Sequence, residues 1–198
     1  MSYPQSIQKL ILFFRKLPGV GKKTAERFAF QIISWKDSDL NALSSLLNSI
    51  KKDLLACPTC NALFDKSTCP FCDLETRDSS ILCIVASPKD IYTLEATGIY
   101  NGLYHVIPGL LSPIDHFGPN ELHFIKLKER LAQIKAREVI LALDSTIEGD
   151  ATSLYLKKEL NQAGISVSRL AMGMPLGSSL DFLDEGTLTR AFSSRLPV

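Results

Sequence analysis

Cys57, Cys60, Cys69 and Cys72 fall as C-x2-C, eight residues, then C-x2-C, and this spacing constrains the chain more than any other feature. Two intervening residues let a pair of thiolates turn onto one ion, and a second pair completes the tetrahedral four-sulfur shell of closed zinc sites. Pro58 and Pro70 each follow the first cysteine of a pair, as in a tight knuckle. The alternative is two disulfides, which would require an oxidising compartment, and nothing in the sequence points to export. A closed shell of four thiolates has no open position for water or substrate, so the metal is read as structural. Residues 54–76 are expected to form a knuckle that braces the parts on either side.

Residues 1–53 read as helical. Ile7, Leu10, Ile11 and Phe14 make a helical stripe over Ser6 to Lys16, with Ser6 as candidate N-cap. Leu17-Pro18-Gly19-Val20-Gly21 then turns the chain into a second helix, Lys22 to Ile33, whose inner face is Ala25, Phe28, Ala29 and Ile32. Two helices joined by such a turn are the sequence form of a helix-hairpin-helix. Gly19 and Gly21 let the backbone approach a phosphate, free amides at the second helix's start donate to it, and Lys22, Lys23 and Arg27 add charge. Such contacts hold nucleic acid without reading bases. An ordinary helical hairpin, with glycines serving only the turn, is the competing reading. A phosphate-binding P-loop is excluded, since it would need Gly in place of Lys16 and Ser or Thr in place of Lys23. Charge agrees with a basic N-terminal surface: residues 1–53 carry nine Lys and Arg against four Asp and Glu, whereas residues 81–198 carry eleven against thirteen.

A third helix is expected over Asp37 to Leu54, with Leu40, Leu43, Leu46, Leu47, Ile50 and Leu54 on its buried side. After Cys72 the chain is polar and aperiodic to Ser80, and a boundary is expected there. Beyond it, apolar runs at Ile81–Val85, Gly102–Ile107, Glu138–Leu143 and Ile165–Leu170 alternate with helical stretches after Ser87-Pro88, over Pro119–Lys135 and over Gly149–Ala163. This alternation predicts parallel βαβ units, an α/β domain with a central parallel sheet over residues 80–175, followed by a short C-terminal segment at 176–198. Cys83, within the first strand, reads as a small core residue. The third strand ends in three carboxylates, Asp144, Glu148 and Asp150, at the place where such sheets gather function. They could hold Mg2+, or merely favour the start of the following helix. Leu10–Phe14 is short and lies between Lys9 and Arg15, so neither a signal peptide nor a membrane anchor is expected, and the cytoplasm is the expected compartment.

The L-P-G-V-G hairpin, the four-cysteine knuckle, the I-V-x-S-P-x-D-I strand-to-helix turn, Gly109–Asp115 with Gly118-Pro119, and T-x-E-G-D-A-T together resemble the RecR family of bacterial recombination-repair proteins over essentially the whole chain. The resemblance implies that the α/β half is a Toprim domain, the fold shared with type IA topoisomerases and bacterial primases. It implies a protein without established catalytic activity, so no catalytic residue is named. Such proteins form ring-like homo-oligomers, dimers or tetramers, that surround DNA, single- or double-stranded and of any sequence. They act with RecO and RecF and help load RecA onto single strands. Lys23 and Arg27 match DNA-contacting positions, the four cysteines match structural zinc ligands, and Asp144, Glu148 and Asp150 lie where RecO contact is expected. Two positions depart from the catalytic Toprim pattern. Ala86 stands where a Glu is required, and Thr146 replaces the second Asp of Asp-x-Asp. These replacements remove the general acid/base and part of a metal shell, and so disfavour Mg2+. The competing reading is a Toprim enzyme, a metal-dependent nuclease or primase-like polymerase using Asp144, Glu148 and Asp150.

Overall fold

Apolar spacing accounts for the helical unit, Met1–Leu54. In the computed structural model, which describes residues 3–65, 68–171, 173–175 and 177–195, this unit holds α1 (Gln5–Phe14), α2 (Lys22–Ile33) and α3 (Asp37–Asp53). Ala25 and Ala29 are fully buried against Ile11, with Ile7, Leu10, Phe14 and Val20 around them. The small side chains let α1 and α2 approach closely. Pro4, not Ser6, stands at the N-cap of α1, and its carbonyl receives the Gln8 N–H at 3.1 Å. The expected buried side of α3 is corrected: Leu40 and Leu43 are half-buried, whereas Leu46 and Leu47 are each 64% exposed and Ile50 and Leu54 also face solvent. An apolar stripe identifies a face and not what covers it.

The second unit, Leu55–Val198, is built on a sheet. A two-stranded antiparallel ribbon comes first, β1 (Leu55–Ala56) with β2 (Leu63–Phe64). Four parallel strands follow, β3 (Asp78–Val85), β4 (Gly102–Val106), β5 (Glu138–Ala142) and β6 (Ser166–Arg169), in the order β4-β3-β5-β6. Between them run α4 (Pro88–Glu95), α5 (Phe124–Ile134) and α6 (Ile147–Gln162). Residues 82–85 of β3 are buried on both faces, as its unbroken apolar run predicts. Alternation sends Leu82 and Ile84 into a core with Leu103, Leu127, Leu131, Val139, Leu141, Leu156 and Leu160. Cys83 and Val85 point the other way, into a core with Ile91, Tyr104, Val106, Phe71, Cys57 and Cys60. The knuckle thus shares a core with one face of the sheet and α4. Ser87 and Asp90 form a reciprocal capping box that starts α4, with Pro88 at its first position. The helix expected over 119–135 is shorter because His123 takes a left-handed conformation at its start, φ 51°.

After β6 the chain makes a 3-10 turn (Leu180–Phe182) and α7 (Glu185–Ser193), capped by Asp184, which accepts from the Thr187 N–H at 2.9 Å. Residues 176 and 196–198 of the expected C-terminal segment lie outside the described residues. No helix among the described residues is long and apolar enough to cross a membrane.

Candidate metal centre and nucleic-acid interface

The β1–β2 ribbon carries the first cysteine pair. Cys57 N–H donates to the Ala62 carbonyl and Asn61 N–H to the Cys57 carbonyl, both at 2.9 Å, and Asn61 takes φ 59° to close the turn. The second pair folds over the first. All four sulfurs lie within 4.8 Å of one another, with Cys57 and Cys72 sulfurs 3.6 Å apart and those of Cys60 and Cys69 3.5 Å apart. A tetrahedral shell with metal–sulfur bonds of ~2.3 Å needs sulfurs separated by ~3.8 Å, whereas a disulfide needs ~2.0 Å. The geometry therefore fits one metal ion shared by four thiols, and the cysteines are free, not paired as disulfides. Hydrogen bonding with Cys60 holds the Cys72 thiol down at about 5 despite its burial. Cys60 is pushed up by the same contact and by burial, and the Ala62 backbone opposes that shift. Cys83 does not join the group. Burial alone pushes its thiol up to about 12, as befits a core residue.

At the hairpin, Gly19 has φ 74°, a conformation open to glycine at low cost. Gly21 is the N-cap of α2 and offers no side chain to its first amides, and no acid stands in the first turn. Those N–H groups, at the positive end of the helix dipole, receive no side-chain cap. Lys22, Lys23 and Arg27 are exposed around them. Lys23, 96% exposed, is 3.9 Å from Glu26, and Arg27 lies over the Phe28 ring at 5.8 Å. Each of these side chains is free to swing to a phosphate.

The order β4-β3-β5-β6 places a topological switch between β3 and β5, and a crevice opens beyond their carboxyl ends. Its walls include Ala86, Lys89, Asp90, Asp115, Asp144 and Glu148, around about 460 Å³. Asp90 is occupied, since it accepts from the Ser87 N–H at 2.9 Å, and Asp115 accepts from the Ser112 hydroxyl at 2.7 Å. Thr146 caps α6 by accepting from the Gly149 N–H at 3.1 Å. Asp150 is not part of the crevice. It accepts from Arg169 and Arg190, each at 2.7 Å, and these bonds, Arg169's foremost, hold its carboxyl below the usual range. The structure thus brings Asp144 and Glu148 together and turns Asp150 toward the end of β6 and α7. Among the described residues, no acids converge on one point as the four cysteines do.

Three arginines important to this geometry escape motif reading: Arg130, Arg169 and Arg190. Arg130 alone had a local signal, because it falls on the buried stripe of α5 beside Leu127 and Leu131.

Comparison with known proteins adds three matches along the chain. A helix-hairpin-helix model of RecR covers residues 7–51, a Toprim domain model residues 80–171, and a RecR C-terminal model residues 173–195. The chain is 48% identical over 195 residues to the recombination protein RecR of Protochlamydia amoebophila, covering 98% of each. It is 48% identical to that of Chlamydia abortus over 201 residues, and 47% identical to that of Chlamydia felis over 199, covering 100% of this chain and 99% of the relative in each case.

Proposed function

The chain belongs to the RecR family, and from that premise we propose that it is a non-enzymatic recombination mediator of DNA repair that grips the DNA backbone through its helical hairpin. The observation that carries this reading is the start of α2, where glycine leaves the first amides uncapped among the exposed Lys22, Lys23 and Arg27. That constellation suits a phosphate, and phosphate contacts carry no sequence information, so single- and double-stranded DNA are bound without sequence preference. Two or three cations neutralise too few phosphates to hold DNA at physiological salt, so several hairpins must act together. A ring-like homo-oligomer, dimer or tetramer, supplies them, and the uncovered apolar face of α3 supports such assembly.

RecO and RecF are the proposed protein partners in loading RecA on single strands in the cytoplasm. Asp144, Glu148 and Asp150 form the proposed RecO-facing rim, with Asp144 and Glu148 on the crevice and Asp150 the more restrained by its two arginines. Cys57, Cys60, Cys69 and Cys72 hold one structural Zn2+, which cross-links the knuckle when bound. The enzyme reading loses ground at three positions: Ala86 brings no acid to the crevice, Thr146 is spent on a helix cap, and Asp150 faces elsewhere. Mg2+ is disfavoured for the same reasons.

The test is a salt titration of DNA binding by fluorescence anisotropy, with oligomer size measured in parallel. Lys23→Ala with Arg27→Ala should abolish binding at physiological salt, and the slope of log K against log salt should fall by more than the ~2 that two phosphates on one subunit account for. A double mutant of unchanged size and wild-type affinity would place the DNA surface elsewhere. Cleavage or synthesis with Mg2+ or Mn2+ that disappears in Glu148→Ala would restore the enzyme reading.

A further inference from the structure

Arg130 of α5 is 5% exposed. Its Nη1 donates to the Tyr104 carbonyl at 2.7 Å and to His105 Nδ1 at 2.9 Å. Its Nε and Nη2, equally shut off from water, have no hydrogen-bond partner among the described residues. Among the described residues no carboxylate forms an ion pair with it. A guanidinium cannot shed its charge by losing a proton, so burial without a partner of opposite sign is costly.

The backbone shows what lies beside it. β4 is an edge strand, and its peptides at 104 and 106 turn away from β3 toward the knuckle: Tyr104 N–H donates to the Phe71 carbonyl at 3.1 Å and Val106 N–H to the Cys60 carbonyl at 2.8 Å. The Val106 carbonyl accepts from the Asn61 amide at 2.8 Å. The Tyr104 carbonyl opens on that same side of the strand, so the guanidinium that reaches it lies at the strand edge, beside both cysteine turns. Arg130 also lines one cavity with Pro58, Thr59 and Asn61 of the first cysteine turn. Arginine has no acceptor, so His105 Nδ1 accepts from it and the ring proton sits on Nε2. Burial, then the charge of Arg130, pushes the His105 pKa down to about 4, so the ring adds no second cation at neutral pH. Four thiolates around a divalent ion would carry net negative charge, the sign the guanidinium lacks in a partner.

We propose that Arg130 is the buried counter-charge of the metal–thiolate shell, a positioning residue that favours the four-thiolate state through its charge and ties the knuckle to β4 through the Tyr104 carbonyl. This rests on the knuckle being a metal site, and the experiment separates the two claims. Zinc content of the purified full chain is measured for the wild type, Arg130→Met and Arg130→Lys, and zinc affinity by competition with a chromophoric chelator. The wild type should hold about one zinc. Arg130→Met, similar in length but neutral, should bind zinc roughly 10–100-fold more weakly, the usual range for a lost outer-shell partner, while Arg130→Lys should stay within about threefold of wild type. If Arg130 only buttresses β4, a folded Arg130→Met will keep wild-type zinc affinity, and the proposal falls. Should Arg130→Met not fold, Arg130→Lys decides, and a Lys variant that fails to fold or loses zinc as badly as Met overturns the charge argument. A wild type without zinc refutes the metal reading itself.

Discussion

Gly149→Ala tests the turn that joins β5 to α6, and the sign of its effect is informative. Gly149 is a buried residue in the first turn of α6, where alanine ordinarily gains ~1 kcal/mol over glycine. Here a Cβ would lie 3.1 Å from the Asp144 carbonyl carbon and closer still to the carbonyl oxygen. That oxygen is backbone, and it also receives Arg169 Nη2 at 3.2 Å, so it cannot swing aside as a flexible side chain would. Relief demands a shift of about 1 Å in the strand-end turn, an overpacking whose cost is commonly ~1–3 kcal/mol or more. At the upper end of that range, less the helix-propensity gain, the net loss is roughly 2 kcal/mol. For a chain of this size that corresponds to a Tm lower by about 4–8 °C. Thermal unfolding followed by circular dichroism reads it directly. An alanine variant that melts at or above the wild-type temperature would refute the close approach of Asp144 to Gly149.

Two further substitutions probe ion pairs. Arg77 donates to Glu95 at 2.7 and 3.0 Å, and these bonds hold the Glu95 carboxyl below its ordinary 4.5. A depressed folded pKa means the stabilisation is complete above the unfolded value of about 4.5 and disappears as pH falls through the folded one. Glu95→Gln should therefore cost roughly 1–3 kcal/mol at pH 7, because Arg77 is left half-buried with a weaker partner, and the Tm gap to wild type should hold steady above about pH 4.5 and narrow as the pH falls below it; a gap that acidification leaves unchanged would exclude the pair as its source. Asp150→Asn should speed hydrogen exchange in residues 185–193 by loosening Arg190, while costing less than ~1 kcal/mol of global stability because the triad is partly exposed. Unchanged exchange in α7 would show that the Asp150–Arg190 bond does not hold that helix.

Local spacing made much of this molecule legible. The bounds of α2, Lys22–Ile33, follow from the glycine turn and the apolar period, and the cysteine spacing foretells the convergence of the four sulfurs. The α/β alternation foretells a parallel sheet, since parallel strands require crossovers. Each of these signals is carried by residues close together in the chain. The stripe of α3 was equally readable, but a pattern names a face and not its cover, and Leu46 and Leu47 are exposed. Asp144, Glu148 and Asp150 read as one cluster along the chain. On a helix, however, residues two apart point ~200° from each other, so Glu148 faces the crevice and Asp150 faces Arg169 and Arg190. The partners of Asp150 lie 19 and 40 residues away, and those of Arg130 are 25 and 26 residues away. Strand order, the seating of the knuckle on the sheet and the choice of which charges are buried all depend on such distant pairs. Chain-local periodicity carries no record of them, because they are selected by which faces the folded sheet brings within a few ångströms.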